Sequence, residues 1–300
     1  YGDHRDLHYP LRRQRQMCIR DRLYTVAVLS IQSSVIFGYV GNNIARPVLQ
    51  ALGYDVWCVD TVNFSNHPGY GSFTGSIKEA HKIQEEINGL TNLDILSECD
   101  AVLSGYLGEV ETAKTVSRTI ELIKEQNKTA IYLLDPVIGD DDQIYVKNGL
   151  IEAFKNDLLP KADIILPNQS ELGWLSGSKI NDLSSLKTAS NYLIKRGAKT
   201  VVVTGIPEFE TLTNYVVTSD AFWAVSTPQL NRKFSGTGDL FSSLFTGAFL
   251  QTKDLYNALN FATEGCSLVV NETQKKGSRE LSVLPVLKQL SRIKKPSNHK

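Results

Sequence analysis

The stretch Phe234-Ser235-Gly236-Thr237-Gly238-Asp239-Leu240-Phe241 holds residue types at a spacing that can do chemistry. Behind it Leu240, Phe241, Leu244, Phe245, Ala248 and Phe249 recur at helical intervals, which predicts a Gly-rich turn opening a buried helix. Two glycines let a backbone approach a ligand without a Cβ in the way. The free N–H groups of a helix start carry partial positive charge and suit a phosphate or a developing oxyanion. Asp239 falls in the first turn, where its carboxylate can be aimed at the same spot. A base beside an anion hole is what phosphoryl transfer to a hydroxyl requires. Asp239 as a plain helix cap is the competing reading.

Other polar residues divide into an acidic set and an aromatic set. Asp135, Asp140 and Glu171 lie in the second half of the chain, with Asn168 beside Glu171 and with Thr204 and Gly205 further on, and this half is assigned to a nucleotide. Carboxylate oxygens are hard ligands that suit Mg²⁺, an ion that keeps several waters and bridges phosphates. Asp141 and Asp142 read as solvated loop residues; Asp135 also fits a strand-end turn before Pro136, and Asn168 with Glu171 also fits a helix cap. In the first half, Ser33, Val40, Val62, Phe64, His67 and Tyr106 offer aliphatic and aromatic walls with few polar groups, a setting for a small flat ring. His67 alone reads as a structural loop histidine; its Phe64-Ser65-Asn66-His67 setting is what brings it into this set. No Walker-type lysine motif occurs.

These groups need a frame that delivers them to one place. Short apolar runs at 26–31, 55–62, 100–104, 130–134, 162–166 and 199–203 read as buried strands. Helical patterns cover 44–52, 76–96, 109–126, 147–158 and 182–196, with further helices from 238, 254 and 280. The runs 215–219 and 222–227 alternate like a late hairpin. Alternating strands and helices imply an α/β fold of three layers, helices on both faces of a mostly parallel central sheet. Polar clusters around Ser33, Asn66, Tyr106, Asp135, Asn168 and Thr204 each follow a strand. Ligands of such folds bind at the carboxyl ends of the strands, so the six clusters predict one long cleft.

The chain has 300 residues with 32 basic and 32 acidic side chains. Residues 1–22 stand apart: Arg12-Arg13-Gln14-Arg15-Gln16-Met17-Cys18-Ile19-Arg20-Asp21-Arg22 resembles the translation of a transposase-type sequencing adapter, and the eight residues from Tyr1 resemble the flow-cell primer before it. The segment is expected to be non-native, with the native chain starting near Leu23 and 23–300 forming a single domain. Without it, 26 basic and 29 acidic side chains leave a formal charge of −3, which gives no signal for nucleic acid or an anionic membrane. Cys58, Cys99 and Cys266 are too widely spaced for a disulfide framework or a zinc site, which suits a reducing, cytoplasmic compartment. No apolar run approaches the length of a membrane span.

Residues 23–300 resemble the pyridoxal kinases of the ribokinase-like superfamily. The resemblance rests on Ser30-Ile31-Gln32-Ser33, Gly38-Tyr39-Val40-Gly41-Asn42, Phe64-Ser65-Asn66-His67, Ser104-Gly105-Tyr106, Asp135-Pro136-Val137-Ile138-Gly139-Asp140, Pro167-Asn168-Gln169 with Glu171, and Gly236-Thr237-Gly238-Asp239. It implies ATP-dependent phosphorylation of the 5′-hydroxyl of pyridoxal, pyridoxine or pyridoxamine, with Mg²⁺, an activating monovalent cation such as K⁺, and a homodimer. It makes Asp239 the base and the stretch from Gly236 through Thr237 to Gly238 the anion hole, and it places Ser33 against the pyridine ring with Val40, Val62, Phe64 and Tyr106 around it. It places Asp135, Asp140 and Glu171 at Mg–ATP and the cation, Asn168 and Thr237 at the nucleotide, and Tyr145 on a covering loop. Three positions depart from the family pattern: Ser34 replaces His, Pro68 replaces Thr near the substrate, and Leu166 replaces Thr near the monovalent cation. A related kinase acting on hydroxymethylpyrimidine or a sugar, and a vitamin-binding relative without catalysis, are the alternatives; the intact Gly236–Asp239 stretch speaks against the second, since binding alone needs no base.

Deleting residues 1–22 is expected to leave melting temperature and activity unchanged within error. A drop of several degrees in a thermal melt, or lost turnover, would show that the segment belongs to the fold.

Overall fold

The computed structural model describes residues 25–141, 143–229 and 232–290. The expectations for residues 1–22 and Asp142 lie outside these residues.

The sheet divides around β1 (Ala27–Phe37). On one side β1 pairs in parallel with β2 (Asp55–Asn66), to which the short β3 (Gly75–Ile77) adds antiparallel. On its other side follow β4 (Cys99–Ser104), β5 (Ile131–Leu134), β8 (Ile164–Ile165) and β9 (Thr200–Glu208), all parallel. Antiparallel β10 (Thr211–Val217) and β11 (Phe222–Pro228) complete the sheet, in the order β11-β10-β9-β8-β5-β4-β1-β2-β3. A separate two-stranded hairpin, β6 (Gly139–Asp140) with β7 (Gln143–Ile144), stands over the end of β5. The chain leaves β1 toward β2 and later returns to its other flank, so the topological switch point lies between β1 and β4, where ligands of doubly wound sheets bind.

Period-two alternation sends side chains to two apolar layers. Val28, Leu103, Leu133, Ile164 and Val202 pack with α1 (Asn42–Ala51), α7 (Thr237–Thr252), α8 (Leu255–Lys275) and α9 (Val283–Leu290). Leu29, Val102, Leu134, Ile165 and Val201 pack with α2 (Ala80–Asn92), α3 (Val110–Gln126), α5 (Gln169–Ser176) and α6 (Leu183–Lys195), together with the four-residue α4 (Leu150–Ala153). This is the three-layer α/β/α arrangement expected from the sequence.

Several boundaries differ from the sequence expectation. β1 does not stop at Ile31 but runs to Phe37, and β2 continues beside it to Asn66, forming an arm beyond the last β1–β4 pair at Ile31 and Ser104. The polar residues after Ile31 do not end the strand: Asn42 Nδ2 donates to Gln32 O at 3.4 Å, Ser30 donates to Asn42 Oδ1 at 2.7 Å and Gln32 Nε2 donates to Ser30 Oγ at 2.9 Å, while Gln32 Oε1 stays unpaired. The segment 76–96 begins as strand, since Ile77 pairs with Val62, and helix starts only at Ala80. The expected 147–158 helix breaks after Ala153 into a wide turn over Phe154–Leu158 and a 3₁₀ turn over Leu159–Lys161; Pro160 brings no N–H and cannot continue a helix. β9 extends to Glu208 because it also pairs with β10.

Candidate functional site

Polar residues at the strand ends meet along one edge of the sheet. Gly105 N–H donates to Ile31 O, Asp135 N–H to Ser104 O, Leu166 N–H to Leu134 O and Thr204 N–H to Pro167 O, so each connection is pinned to the strand beside it. The clusters expected around Ser33, Tyr106, Asp135, Asn168 and Thr204 therefore share this edge, with Asn66 out on the β1–β2 arm.

At its centre α7 begins. Gly236 has φ 85° and acts as the N-cap, so no side chain caps the helix start. The first amide engaged within the helix is that of Leu240, which donates to Gly236 O at 2.9 Å. The amides of Thr237, Gly238 and Asp239 precede it, and the α-carbon of Gly238 faces open space. The Thr237 hydroxyl donates to Phe234 O at 3.2 Å and steadies the turn. Asp239 does not cap its own helix; its partly buried carboxylate accepts the N–H of Gly41 from the turn between β1 and α1. Desolvation pushes the Asp239 carboxyl up to about 6, and the Gly41 N–H opposes that rise.

Gly41 in turn lies against Ser33: a Cβ on Gly41 would stand 2.2 Å from Ser33 O and 2.4 Å from Ser33 Oγ. Ser33 is thus held one backbone thickness from the group bonded to Asp239. Val40, Val62 and Phe64 form a small apolar cluster with Val35, separate from the two main layers, against which Tyr106 and Ile77 pack. Four residues of the expected aromatic and aliphatic wall therefore come together. His67 sits at the rim, its Nε2 3.3 Å from Glu280 Oε1 and its ring 4.7 Å from that of Tyr70.

The acidic set surrounds the same helix start. Asp135 follows β5 and is buried; its Oδ2 has no hydrogen-bond partner. Desolvation, then the neighbouring Asp239 charge, push its carboxyl up to about 8, against a hydrogen bond from Ser242. Glu171 is also buried and lifted well above the usual carboxylate range by desolvation and by Asp135. It is nevertheless well solvated by backbone: Oε1 accepts from Ile138 at 2.9 Å and Gly139 at 3.3 Å, and Oε2 accepts from Asn168 at 2.9 Å. Asn168 returns the bond by accepting Glu171 N–H at 2.9 Å, completing a capping box, while its Nδ2 donates to Gly139 O at 2.7 Å. Asp140 lies on the β6–β7 hairpin, which also carries the exposed Tyr145 just beyond β7, pinned to Ile138 O at 2.8 Å. Thr204 bridges to Asn168, and Gly205 N–H donates to Asn214 Oδ1 at 2.8 Å, so both stand at the far end of the same edge.

Among the described residues no three His, Cys, Asp or Glu side chains are grouped as a ready-made metal shell. The orphaned Asp135 oxygen still suits a hard cation that takes its remaining ligands from phosphate and water. Leu166 is buried in the apolar layer with Val202 and offers no side-chain oxygen.

Three residues escape the sequence reading. Lys233 places its Nζ 2.5 and 2.6 Å from the two Asp141 oxygens, so Asp141 is paired rather than merely solvated and the β6–β7 hairpin is tied to the turn before Gly236. A lysine just before a Gly-rich turn was the available signal. Ser242 reads as one more helical residue, and only packing brings it beside Asp135. Glu280 bonds Tyr39, 241 positions earlier, and no local pattern marks it.

Comparison with known proteins agrees with this geometry. The phosphomethylpyrimidine kinase family profile matches residues 74–283. Pyridoxal kinase PdxY of Rubrobacter xylanophilus is 34% identical over 263 residues, covering 86% of this chain and 91% of that protein. The Haemophilus influenzae pyridoxal kinase PdxY is 38% identical over 266 residues, covering 86% and 92%. The structure of Leishmania donovani pyridoxal kinase in complex with ADP and pyridoxamine superposes with a TM-score of 0.84 at 31% identity, covering 88% of this chain and 95% of that one. The chain belongs to the pyridoxal kinases of the ribokinase-like superfamily.

Proposed function

We propose that this chain transfers the γ-phosphoryl group of ATP to the 5′-hydroxyl of pyridoxal, with pyridoxine and pyridoxamine as further acceptors, giving pyridoxal 5′-phosphate in vitamin B6 salvage. The observation that carries the reading is the Asp239 carboxylate, freed from capping, bonded to Gly41 N–H and placed beside the open amides of the Gly236 turn. The ring of the vitamer lies on Val40, Val62, Phe64 and Tyr106 with Ser33 and His67 as its polar contacts. Asp239 takes the hydroxyl proton as the oxygen bonds to the γ-phosphorus, and the bond from that phosphorus to the bridging oxygen of ADP breaks. The amides of Thr237, Gly238 and Asp239 receive the charge on the transferred oxygens. Asn168, Thr204 and Gly205 line the nucleotide side, and Tyr145 covers it from the hairpin.

Asp135 and Asp140 would hold Mg²⁺ with Glu171 behind them, the ion neutralising phosphate charge when bound. A monovalent cation, K⁺, belongs to the same proposal, with one oxygen ligand missing where Leu166 stands. Activity titrated with K⁺ at constant ionic strength should then saturate weakly; no K⁺ effect at all removes the cation from the reading. A homodimer is favoured by apolar side chains left bare on and beside the β1–β2 arm, Ile36 at 82% exposure with Phe37 and Phe73. No helix among the described residues is long and apolar enough to cross a membrane; a cytoplasmic location is part of the proposal. The family profile's description, phosphomethylpyrimidine kinase, keeps a substituted methylpyrimidine as the competing acceptor. Coupled ADP release measured with pyridoxal, pyridoxine, hydroxymethylpyrimidine and ribose decides between them, and preference for any acceptor but a B6 vitamer overturns the reading.

Asp239→Asn keeps size and hydrogen bonding but cannot take a proton. Its kcat should fall by roughly 10²–10⁴-fold with little change in melting temperature, the usual loss for a general base. Activity of the unaltered chain should rise with pH through about 6, as Asp239 loses its proton. A folded variant keeping more than about a tenth of the wild-type kcat returns Asp239 to a structural role.

Asp135 generates a stability prediction. The folded chain keeps the Asp135 proton up to about pH 8, whereas the unfolded chain releases it in the usual carboxylate range. Within that window the folded state binds more protons, so stability falls as pH rises; the raised Asp239 carboxyl adds a loss of the same sign up to about pH 6. The ligand-free melting temperature should therefore drop between about pH 5 and about pH 8. Asp135→Asn should flatten that slope and raise the upper end by about 2–4 °C or more, the effect of ~1 kcal/mol in a large domain. An unchanged slope in thermal melts would refute the assignment.

A further inference from the structure

We propose that Glu280 is a positioning residue for phosphoryl transfer: it holds the turn between β1 and α1 against the Gly236 turn and so sets where Ser33 and Asp239 stand relative to each other. Its side chain is only 11% exposed and lies between α8 and α9, next to the buried Leu281. Oε2 accepts the N–H of Tyr39 at 3.0 Å. Oε1 accepts the Tyr70 hydroxyl at 2.5 Å and lies 3.3 Å from His67 Nε2. The Arg279 guanidinium covers the Tyr70 ring at 3.9 Å and holds that ring over the carboxylate. One carboxylate thus joins the 38–41 turn, the 67–70 loop and the C-terminal part of the chain.

The consequence follows residue by residue along the turn. Tyr39 presents its carbonyl to Gly236, at the head of the anion hole, so closely that a Cβ there would lie 2.0 Å away. Val40, next in the chain, belongs to the acceptor wall. Gly41 abuts Ser33 and donates its N–H to Asp239. Moving Tyr39 therefore displaces the wall, the ring contact and the base together. Each depends on placement rather than on new bonding, and misplacement by about an ångström can cost about 10²-fold in rate. Glu280 touches none of the reacting atoms; it acts through Tyr39 and, by way of Tyr70 and His67, on the rim of the acceptor pocket.

The inference rests on Asp239 as the base, and the experiment separates the two. Full-length Glu280→Ala, Glu280→Gln and Tyr70→Phe are compared with Asp239→Asn by steady-state kinetics in pyridoxal and in ATP, with a melting curve for each. Glu280→Ala should lower kcat/KM for pyridoxal by about 10²-fold while KM for ATP stays within about twofold. Glu280→Gln still offers one oxygen to Tyr39 N–H and should recover about tenfold or more of that loss. Tyr70→Phe, which removes one of the bonds, should show a smaller loss confined to pyridoxal. Glu280→Ala within about threefold of wild type, no recovery in Glu280→Gln, or equal losses for both substrates would overturn the inference. If Glu280→Ala fails to fold, Glu280→Gln and Tyr70→Phe decide it: wild-type pyridoxal kinetics in both would overturn it. An active Asp239→Asn beside an impaired Glu280→Ala would refute the base and leave the positioning role standing.

Discussion

Two backbones meet at the head of the cleft with no room for a side chain between them. A Cβ on Gly236 would strike Tyr39 O at 2.0 Å, and one on Gly41 would strike Ser33 O at 2.2 Å. Both glycines have positive φ, 85° and 52°, which a side chain would disfavour in any case. This double contact lets a residue from the first strand and a residue 206 positions later share one small space. Without it, the helix start and the proposed acceptor wall would be separate features on the same sheet edge. The two apolar layers behind them, one anchored by α7 and the other by α3 and α5, hold the backbones at that distance.

Burial of polar groups is costly unless they are paired, and the site is built where the pairing is uneven. Around β1 it is complete but for Gln32 Oε1: Asn42 bonds Ser30, Asp60 and the carbonyls of Gln32 and Val59. That network lets polar side chains stand at the switch point and fixes the strand from which Ser33 projects. Asp135 is a costlier case: one buried oxygen is unpaired, desolvation and then the Asp239 charge raise its carboxyl, and Asp135 in turn adds to the rise at Glu171. Like charges gathered at a helix start are favourable only when a cation or a proton accompanies them. Under the proposed function, a nucleotide arriving with a divalent metal would bring that cation and turn the electrostatic cost into an attraction.

The sequence made some of this legible for definite reasons. Layered α/β architecture follows from apolar runs alternating with amphipathic ones, and that pattern is local. The strand-end clusters were readable because polar residues after a buried run have few other uses. Strand lengths were less so. The polar residues from Gln32 onward look like a strand ending until Asn42 is known to face them, and Ile77 looks helical until Val62 is known to need a partner. Contacts of long sequence separation were the least legible: the bond between Glu280 and Tyr39 leaves no trace in periodicity or spacing, and the pairing of Lys233 with Asp141 leaves only a lysine before a Gly-rich turn.

Glu171 shows why a structural reading and a functional one need not compete. Three backbone amides occupy its two oxygens, and together with Asn168 it closes the first turn of α5, so the capping role is real. A carboxylate filled in this way has little capacity left to bind a metal strongly by itself. Its charge remains, buried next to Asp135, and so does its grip on Ile138 and Gly139, the residues that lead into the hairpin carrying Asp140 and Tyr145. One oxygen, Oε2, therefore closes the start of the helix while the other, Oε1, fixes the acidic hairpin over the proposed nucleotide side. Losing the cap would move that hairpin, whereas keeping the cap without the charge would leave the geometry and weaken only the field at Asp135. The two roles are separable by charge and not by shape.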